Sequence, residues 1–236
     1  MIWIGTSGFQ YPEWKGSFYP EKISLAKMLA FYTEHFSSTE INYSFRRIPS
    51  VRTLEIWKAQ TPQHFKFSFK APREITHFRQ LKDCAEVVAR FNEALKTMEN
   101  ELGVVLFQLP PTSRKDLPLL KDFLVALPDG LNCAFEFRHA TWFDDETFAA
   151  LKARNAALCI ADGGELATPI VFTANFAYFR LRREDYTSKD ISGWAKVIRA
   201  NQNHFSEIYI YFKHEETAVG PKFAKQLRAE LGINEG

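Results

Sequence analysis

The 236-residue chain is long enough to bury one large core, and α/β barrels use this much sequence as a single domain. Hydrophobic residues make up 46% and charged residues 25%, the balance of a globular protein, and a net charge of +2 is too small to imply a nucleic-acid or membrane partner by bulk electrostatics, which leaves room for a local basic pocket. The three cysteines, Cys84, Cys133 and Cys159, are widely spaced in apolar surroundings, which excludes a CxxC zinc or redox pair and reads as buried thiols in a reducing compartment.

Short β-rich runs alternate with amphipathic stretches from end to end. In chain order the pattern predicts strand 1–4, helix 25–35, strand 39–42, helix 51–59, strand 65–70, helix 84–100, strand 104–109 and helix 115–126. It continues with strand 133–137, helix 144–154, strand 157–161, strand 177–181, helix 191–203, strand 207–212 and helix 218–231. Only the segment after the sixth strand lacks a helix, because Gly163, Gly164 and Pro169 break it. Eight strands in a chain of this size predict one (β/α)8 TIM-type barrel over residues 1–236 with no internal boundary. An open doubly wound sheet is the alternative, but GTSGF after the first strand is neither GxGxxG nor a Walker loop. No basic-then-apolar leader opens the chain and no run has the length of a membrane span, so a cytoplasmic location without a membrane partner is expected.

The first βα loop, 5–23, is far longer than the usual two to six residues or so and carries Phe9, Tyr11, Trp14, Phe18 and Tyr19. It is expected over the C-terminal mouth of the barrel, where active sites sit, either as a structural lid or as a wall of the pocket.

The stretches GTSGFQYPEWKGSFYP, FSSTEINYSFRRIPS, FKFSFKAPREITH, LGVVLFQLPP, FEFRHATW and IYIYFKH follow one another along nearly the whole chain and together resemble the DUF72 family, the YecE-like proteins of bacteria and archaea. The resemblance implies a TIM barrel with a polar pocket at its C-terminal face; it implies no particular reaction. The chain departs from the family pattern twice. The family often has an arginine followed shortly by His-Gly after the seventh strand, where this chain reads FRLRRED, and Asn after the eighth, where Lys213 and His214 stand. Family contacts from those two strands therefore do not transfer directly.

Side chains alternate along a strand, so polar residues two apart at its end share a face. By this rule Glu40 pairs with Asn42, Ser68 with Lys70, Glu136 with Arg138, and Arg180 with Arg182, while Gln108 ends the fourth strand and Asp162 the sixth. One polar strand end is ordinarily a satisfied hydrogen bonder. Six together are different, because buried carboxylates and cations are costly unless they pair, and such pairing is typical of active sites. The competing reading is a purely structural salt-bridge network joining Glu136 to Arg138 or Arg180.

Lys70, Arg138, Arg180 and Lys213 form a candidate clamp for phosphate or carboxylate, which guanidinium groups bind through two parallel donors. Glu136, Glu40 and Asp162, with His77, are the candidate catalytic groups, the carboxylates suiting a general base, a sugar-hydroxyl acceptor or a hard-metal ligand. Ser7, Tyr11, Trp14, Asn42, Gln108 and Trp142 complete the expected substrate-binding set, Tyr11 and Trp14 by stacking and Trp142 by walling the pocket. His139 also lies on an active-face loop. No motif supports a divalent metal: His77, His139, His214 and Asp162 are scattered in sequence, and HExxH and paired cysteines are absent. A GxSxG elbow is lacking too, which disfavours a serine hydrolase at Ser7.

Two functions fit this pattern. The first is an enzyme acting on a small anionic, hydroxyl-bearing metabolite, phosphorylated or carboxylated, by hydrolysis or isomerisation. The second is a non-catalytic barrel binding a ligand or single-stranded nucleic acid, in which the aromatics stack bases and the cations meet phosphates. Against nucleic acid, no long basic stripe is visible in the sequence and the net charge is small.

Overall fold

Ile2–Ser7 (β1) pairs in parallel with Ser38–Ile41 (β2) on one side and with Glu207–Phe212 (β8) on the other, and this last pairing closes the sheet. Between them run Lys66–Lys70 (β3), Leu102–Gln108 (β4), Cys133–Glu136 (β5), Ala157–Asp162 (β6) and Phe176–Leu181 (β7), so that the eight strands follow chain order around the barrel. Outside it stand the helices Met28–Thr33 (α1), Tyr43–Arg46 (α2), Val51–Ala59 (α3), Ala85–Leu95 (α4), Leu117–Ala126 (α5), Asp145–Ala153 (α6), Ser188–Asn201 (α7) and Val219–Leu231 (α8). The computed structural model describes residues 1–164, 166–213 and 216–233, so His214 lies outside the described residues.

Alternation of side chains divides the core in two. Outward residues such as Phe67, Phe69, Phe107, Phe135 and Phe179 join the apolar layer beneath the helices. Inward residues such as Trp3, Val104, Leu106, Ala134, Cys159, Tyr178, Tyr209 and Tyr211 fill the barrel lumen. The abundant phenylalanines are thus wall packing, each buried ring contributing about 1.5–3 kcal/mol. In the lumen the tyrosine hydroxyls need partners: Tyr211 Oη lies 2.6 Å from Ser38 Oγ and donates to Ser68 Oγ at 2.9 Å.

The predicted strands agree with those observed to within a few residues, but β1 runs on to Ser7, so Gly5, Thr6 and Ser7 belong to the strand and not to the loop. Gly5 permits this, because a Cβ there would lie 1.8 Å from the Ser38 carbonyl oxygen of the neighbouring strand. The long helix predicted over 84–100 stops at Leu95 and continues as a tighter turn in which Glu99 takes φ 48°, a conformation no helix accommodates. The short α2 and a π-helical turn at Glu74–Phe78 were not predicted; neither is long enough to show a helical period.

The long first loop stands at the mouth only with its opening residues 8–11. The remainder descends the flank of the barrel: Phe18 packs on Phe31, Tyr32 and Phe36 at ring distances of 5.7–6.1 Å, and Lys225 of α8 covers its ring. Trp14, fully buried, anchors this cluster between Tyr11 and Tyr19. All three cysteines are buried free thiols, with Cys84 pushed up to about 11 and Cys133 to about 12 by burial. Among the described residues no helix is long and apolar enough to cross a membrane.

Candidate functional site

The strand order places the ends of β1, β2, β5 and β7 around one point, and inward parity aims Ser7, Glu40, Glu136 and Arg180 at it. Arg180, 2% exposed, lies between two carboxylates that are each fully buried. Its Nη2 and Nε donate to Glu40 Oε1 at 2.8 and 3.2 Å, and its Nη1 donates to Glu136 Oε2 at 2.5 Å. Glu40 also accepts from Tyr178 Oη at 2.6 Å and from Ser7 Oγ, and Asn42 Nδ2 donates to that same Ser7 oxygen at 2.8 Å. Glu136 accepts from Arg138 Nε at 3.1 Å, lies 3.6 Å from Arg182 Nη2, and is hydrogen-bonded by Gln108.

Burial alone would push both carboxyls up. The Arg180 charge outweighs it, helped by Ser7 and Tyr178 at Glu40 and by Arg182 and Arg138 at Glu136, so both are held below the usual carboxylate range and stay ionised. Arg180 in turn is held firmly protonated against its own burial by the two carboxylates. Each member is paired, which is the condition for keeping charge in so dry a place.

Above this network, among the described residues, the positive charge is in excess: Arg138, Arg180, Arg182 and Lys70 meet two carboxylates, Glu40 and Glu136. Burial lowers the Arg182 guanidinium, and repulsion from Arg180 and Arg138 adds to that against the pull of Glu136. Its Nη2 donates to Gly163 O at 2.6 Å, but its buried Nε has no hydrogen-bond partner among the described residues. Gly163, with φ 107°, allows this close approach, since a Cβ there would lie 2.9 Å from the Arg182 backbone. Lys70 has no ion pair among the described residues and sits with Nζ 4.0 Å from the Phe45 ring centre. Burial first, then the Arg180 charge, lowers it to about 7 against the pull of Glu40 and Glu136. His77 meets the same Phe45 ring edge-on at 4.9 Å and is lowered by burial and by the Lys70 and Arg138 charges. A cavity of about 570 Å³ opens on Glu136, Arg138 and Arg182.

The structure therefore gathers Ser7, Glu40, Asn42, Gln108, Glu136, Arg138 and Arg180 into one network, with Lys70 and His77 at its edge. Tyr11 reaches the rim, its hydroxyl donating to Ser7 O at 2.9 Å and its ring lining a cavity beside Asn42. Three expected site residues lie elsewhere. Asp162 follows the outward parity of Leu158 and Ile160 and accepts from Tyr186 Oη at 2.8 Å and Trp194 Nε1 at 3.1 Å, on the helix side of the sheet. Trp14 is fully buried in the flank cluster and presents no face to a ligand. Trp142 stacks on outward Phe137 at 4.6 Å and donates to Ser113 O, so it packs behind the strand and does not wall the pocket. Ser7, only 1% exposed, braces Glu40 and has no free surface for substrate. His139 lines the cavity but is held beside Thr141 Oγ1 at 2.9 Å as the cap of a short turn. Among the described residues no three His, Cys, Asp or Glu side chains gather as a metal-binding group.

Sequence reasoning missed Tyr178 and Phe45. Two-residue alternation through Tyr178 and Arg180 in FAYFRL points to the first; a residue of a one-turn helix such as α2 gives no comparable sign of the second.

A family model described as "Protein of unknown function DUF72" matches residues 3–236. The UPF0759 protein YecE of Escherichia coli K12 is 31% identical over 144 residues, which cover 61% of this chain and 50% of that protein, so the match spans half the length of that relative. The UPF0759 protein YunF of Bacillus subtilis strain 168 is 29% identical over 273 aligned positions, covering 99% of this chain and 95% of that protein. A crystal structure of a DUF72 family protein from Thermotoga maritima superimposes with a TM-score of 0.88 at 24% identity, covering 98% of this chain and 99% of that one, a likeness of fold. With a family match over nearly its whole length and a closed eight-stranded barrel of the same fold, this chain belongs to the DUF72 family.

Proposed function

We propose that this protein is an enzyme acting on a small phosphorylated or carboxylated, hydroxyl-bearing metabolite by isomerisation or hydrolysis, with Lys70 as the group that moves the proton. The observation that carries this reading is the charge imbalance among the described residues of the barrel mouth: four cations face two carboxylates, Arg182 Nε has no hydrogen-bond partner and Lys70 forms no ion pair. An anion entering beside Arg138 and Arg182 supplies the missing charge, and guanidinium donors suit its paired oxygens. Glu40 and Glu136 are poor bases, since their arginines hold them ionised and weakly basic. A general base works best when its pKa lies near the working pH. Lys70, lowered to about 7, meets that condition, with neutral His77 beside the same ring.

The sign of the pH effect follows. A bound anion favours protonated Lys70, so binding takes up a proton once pH exceeds about 7, and affinity should fall as pH rises from there. Calorimetric titration with sugar phosphates, sugar acids and neutral sugars at pH 6 and pH 9 tests this. We expect the anions alone to bind, more tightly at pH 6, and Lys70→Met to flatten the pH dependence and weaken binding about tenfold. Neutral sugars binding as well as anions, or an unaltered pH profile in Lys70→Met, would overturn the reading.

A further inference from the structure

A second cationic surface lies next to the mouth and plays no part in the chemistry above. A cavity of about 830 Å³ is lined by Arg46 and Arg47 at the end of α2, Arg73 and Arg79 flanking the π-helical turn, and Arg90 of α4. Glu74, the one acidic residue in its lining, pairs with Arg79 at 3.0 Å and with Arg90 at 3.8 Å. Five arginines against one carboxylate leave four positive charges in excess. Arg46, Arg47 and Arg73 are exposed and form no ion pair among the described residues.

The same cavity carries a large exposed ring. Phe78 is 68% exposed, and the Arg73 guanidinium lies 5.1 Å from its centre. The chain that bears them is held in uncommon shapes: the turn at Glu74–Phe78 is π-helical, and Gln80, Leu81 and Asp83 take φ of 46°, 73° and 51°. π-turns and left-handed non-glycine residues concentrate at functional sites, since each costs stability that only its surroundings sustain. Internal bonds sustain them here: Leu81 N–H donates to Ile75 O at 2.9 Å and Arg79 Nη1 donates to Asp83 O at 3.0 Å. The arginines and the ring are thus presented on a preformed frame. Phe45 is the shared wall, lining this cavity while Lys70 and His77 of the mouth rest on its ring.

We propose that this surface binds nucleotides, the arginines taking phosphate and Phe78 stacking the base. Arginine forks pair with phosphate oxygens, and an aromatic face accepts any base. A bare anion would use the arginines but leave Phe78 idle, and an acidic peptide brings no ring to stack on it. The ligand is either a free nucleotide or a nucleotide unit of a single strand, and the inference stands independently of turnover at the mouth.

The test uses the full chain and a fluorescein-labelled thymidine hexanucleotide, followed by fluorescence anisotropy, with thymidine monophosphate, inorganic phosphate and polyglutamate as competitors. Binding should weaken about tenfold to twentyfold between 50 and 200 mM salt if about three phosphates are contacted. Arg46→Glu/Arg47→Glu/Arg73→Glu should weaken it at least about a hundredfold. Phe78→Ala should weaken it about five- to a hundredfold, the range for one lost stacking contact. These side chains are exposed, so an unchanged melting temperature separates lost binding from lost folding. A hexanucleotide bound much more tightly than the monophosphate marks a strand as the source, and equal affinities mark a free nucleotide; either supports the proposal. Competition by inorganic phosphate or polyglutamate as strong as by the nucleotides, undiminished binding in the charge-reversed variant, or no binding of the hexanucleotide at 50 mM salt overturns it.

Discussion

Arginine occupies two contrasting regions of this barrel. Arg180, 2% exposed, donates to both Glu40 and Glu136 and holds the two buried carboxylates ionised. Arg46, Arg47 and Arg73, a short way outside the mouth, stand exposed around an open cavity with no ion pair among the described residues. The same guanidinium is in one place the keystone of a dry electrostatic network and in the other a solvated contact point. The difference lies in the surroundings. Inside, removing one charge strands its partners in a medium that cannot solvate them; outside, water replaces whatever is lost.

The sharpest way to break this contrast is Arg180→Met. It leaves Glu40 and Glu136 buried without their common counter-ion, and should cost about 3–5 kcal/mol in urea denaturation or prevent folding altogether. A stability close to that of the parent would mean that the network is not the keystone.

An intermediate effect is expected from acid. Glu40 and Glu136 are depressed in the folded state, so the unfolded chain binds protons first as pH falls. Their contribution is fully present above the ordinary carboxylate value of about 4.3 and is lost progressively below it. Urea midpoints measured from pH 7 to pH 3 should therefore drop in this window. Glu136→Gln, which leaves Arg138 and Arg182 short of a charged acceptor, should lose about 1.5–3 kcal/mol at pH 7 and show a shallower drop in acid. Unchanged acid sensitivity in that variant would remove Glu136 from the network's energetics.

The smallest expected effect completes the comparison. Arg47→Met should change stability by no more than about 0.5 kcal/mol, as exposed substitutions do, and a loss as large as that of Arg180→Met would show that the outer arginines also hold the fold together.

Much of this arrangement was legible before any coordinate. Alternating β-rich and amphipathic runs, a local signal, specified the barrel, and two-residue parity aligned Glu136 with Arg138 and Arg180 with Arg182. Glu40 and Asn42 share the face that parity gave them; Ser7, read in sequence as a loop residue, joins them because β1 runs on to it and strands ending at one face of a closed barrel converge. Parity carried one step further would have placed Asp162 correctly, for it continues the outward row of Leu158 and Ile160.

The aromatic loops were different. Trp14 and Trp142 look in sequence like ligand platforms, yet both pack behind or beside the strands, because a loop's path is set by the apolar surface available to it and no periodicity records that surface. The outer arginines were equally hidden. Arg46, Arg47, Arg73, Arg79 and Arg90 are spread over 45 positions and diluted in a net charge of +2. Only the packing of α2, the π-helical turn and α4 around one cavity concentrates them. The sequence by itself determined the long elements, the barrel and the inward row of Glu40, Glu136, Arg138, Arg180 and Arg182, which follow from short-range periodicity. Tertiary structure alone decided which charges pair in the dark of the lumen and which collect in the open. Charge apposition acts through space, and the chain brings distant residues together only when its apolar faces have already closed the barrel.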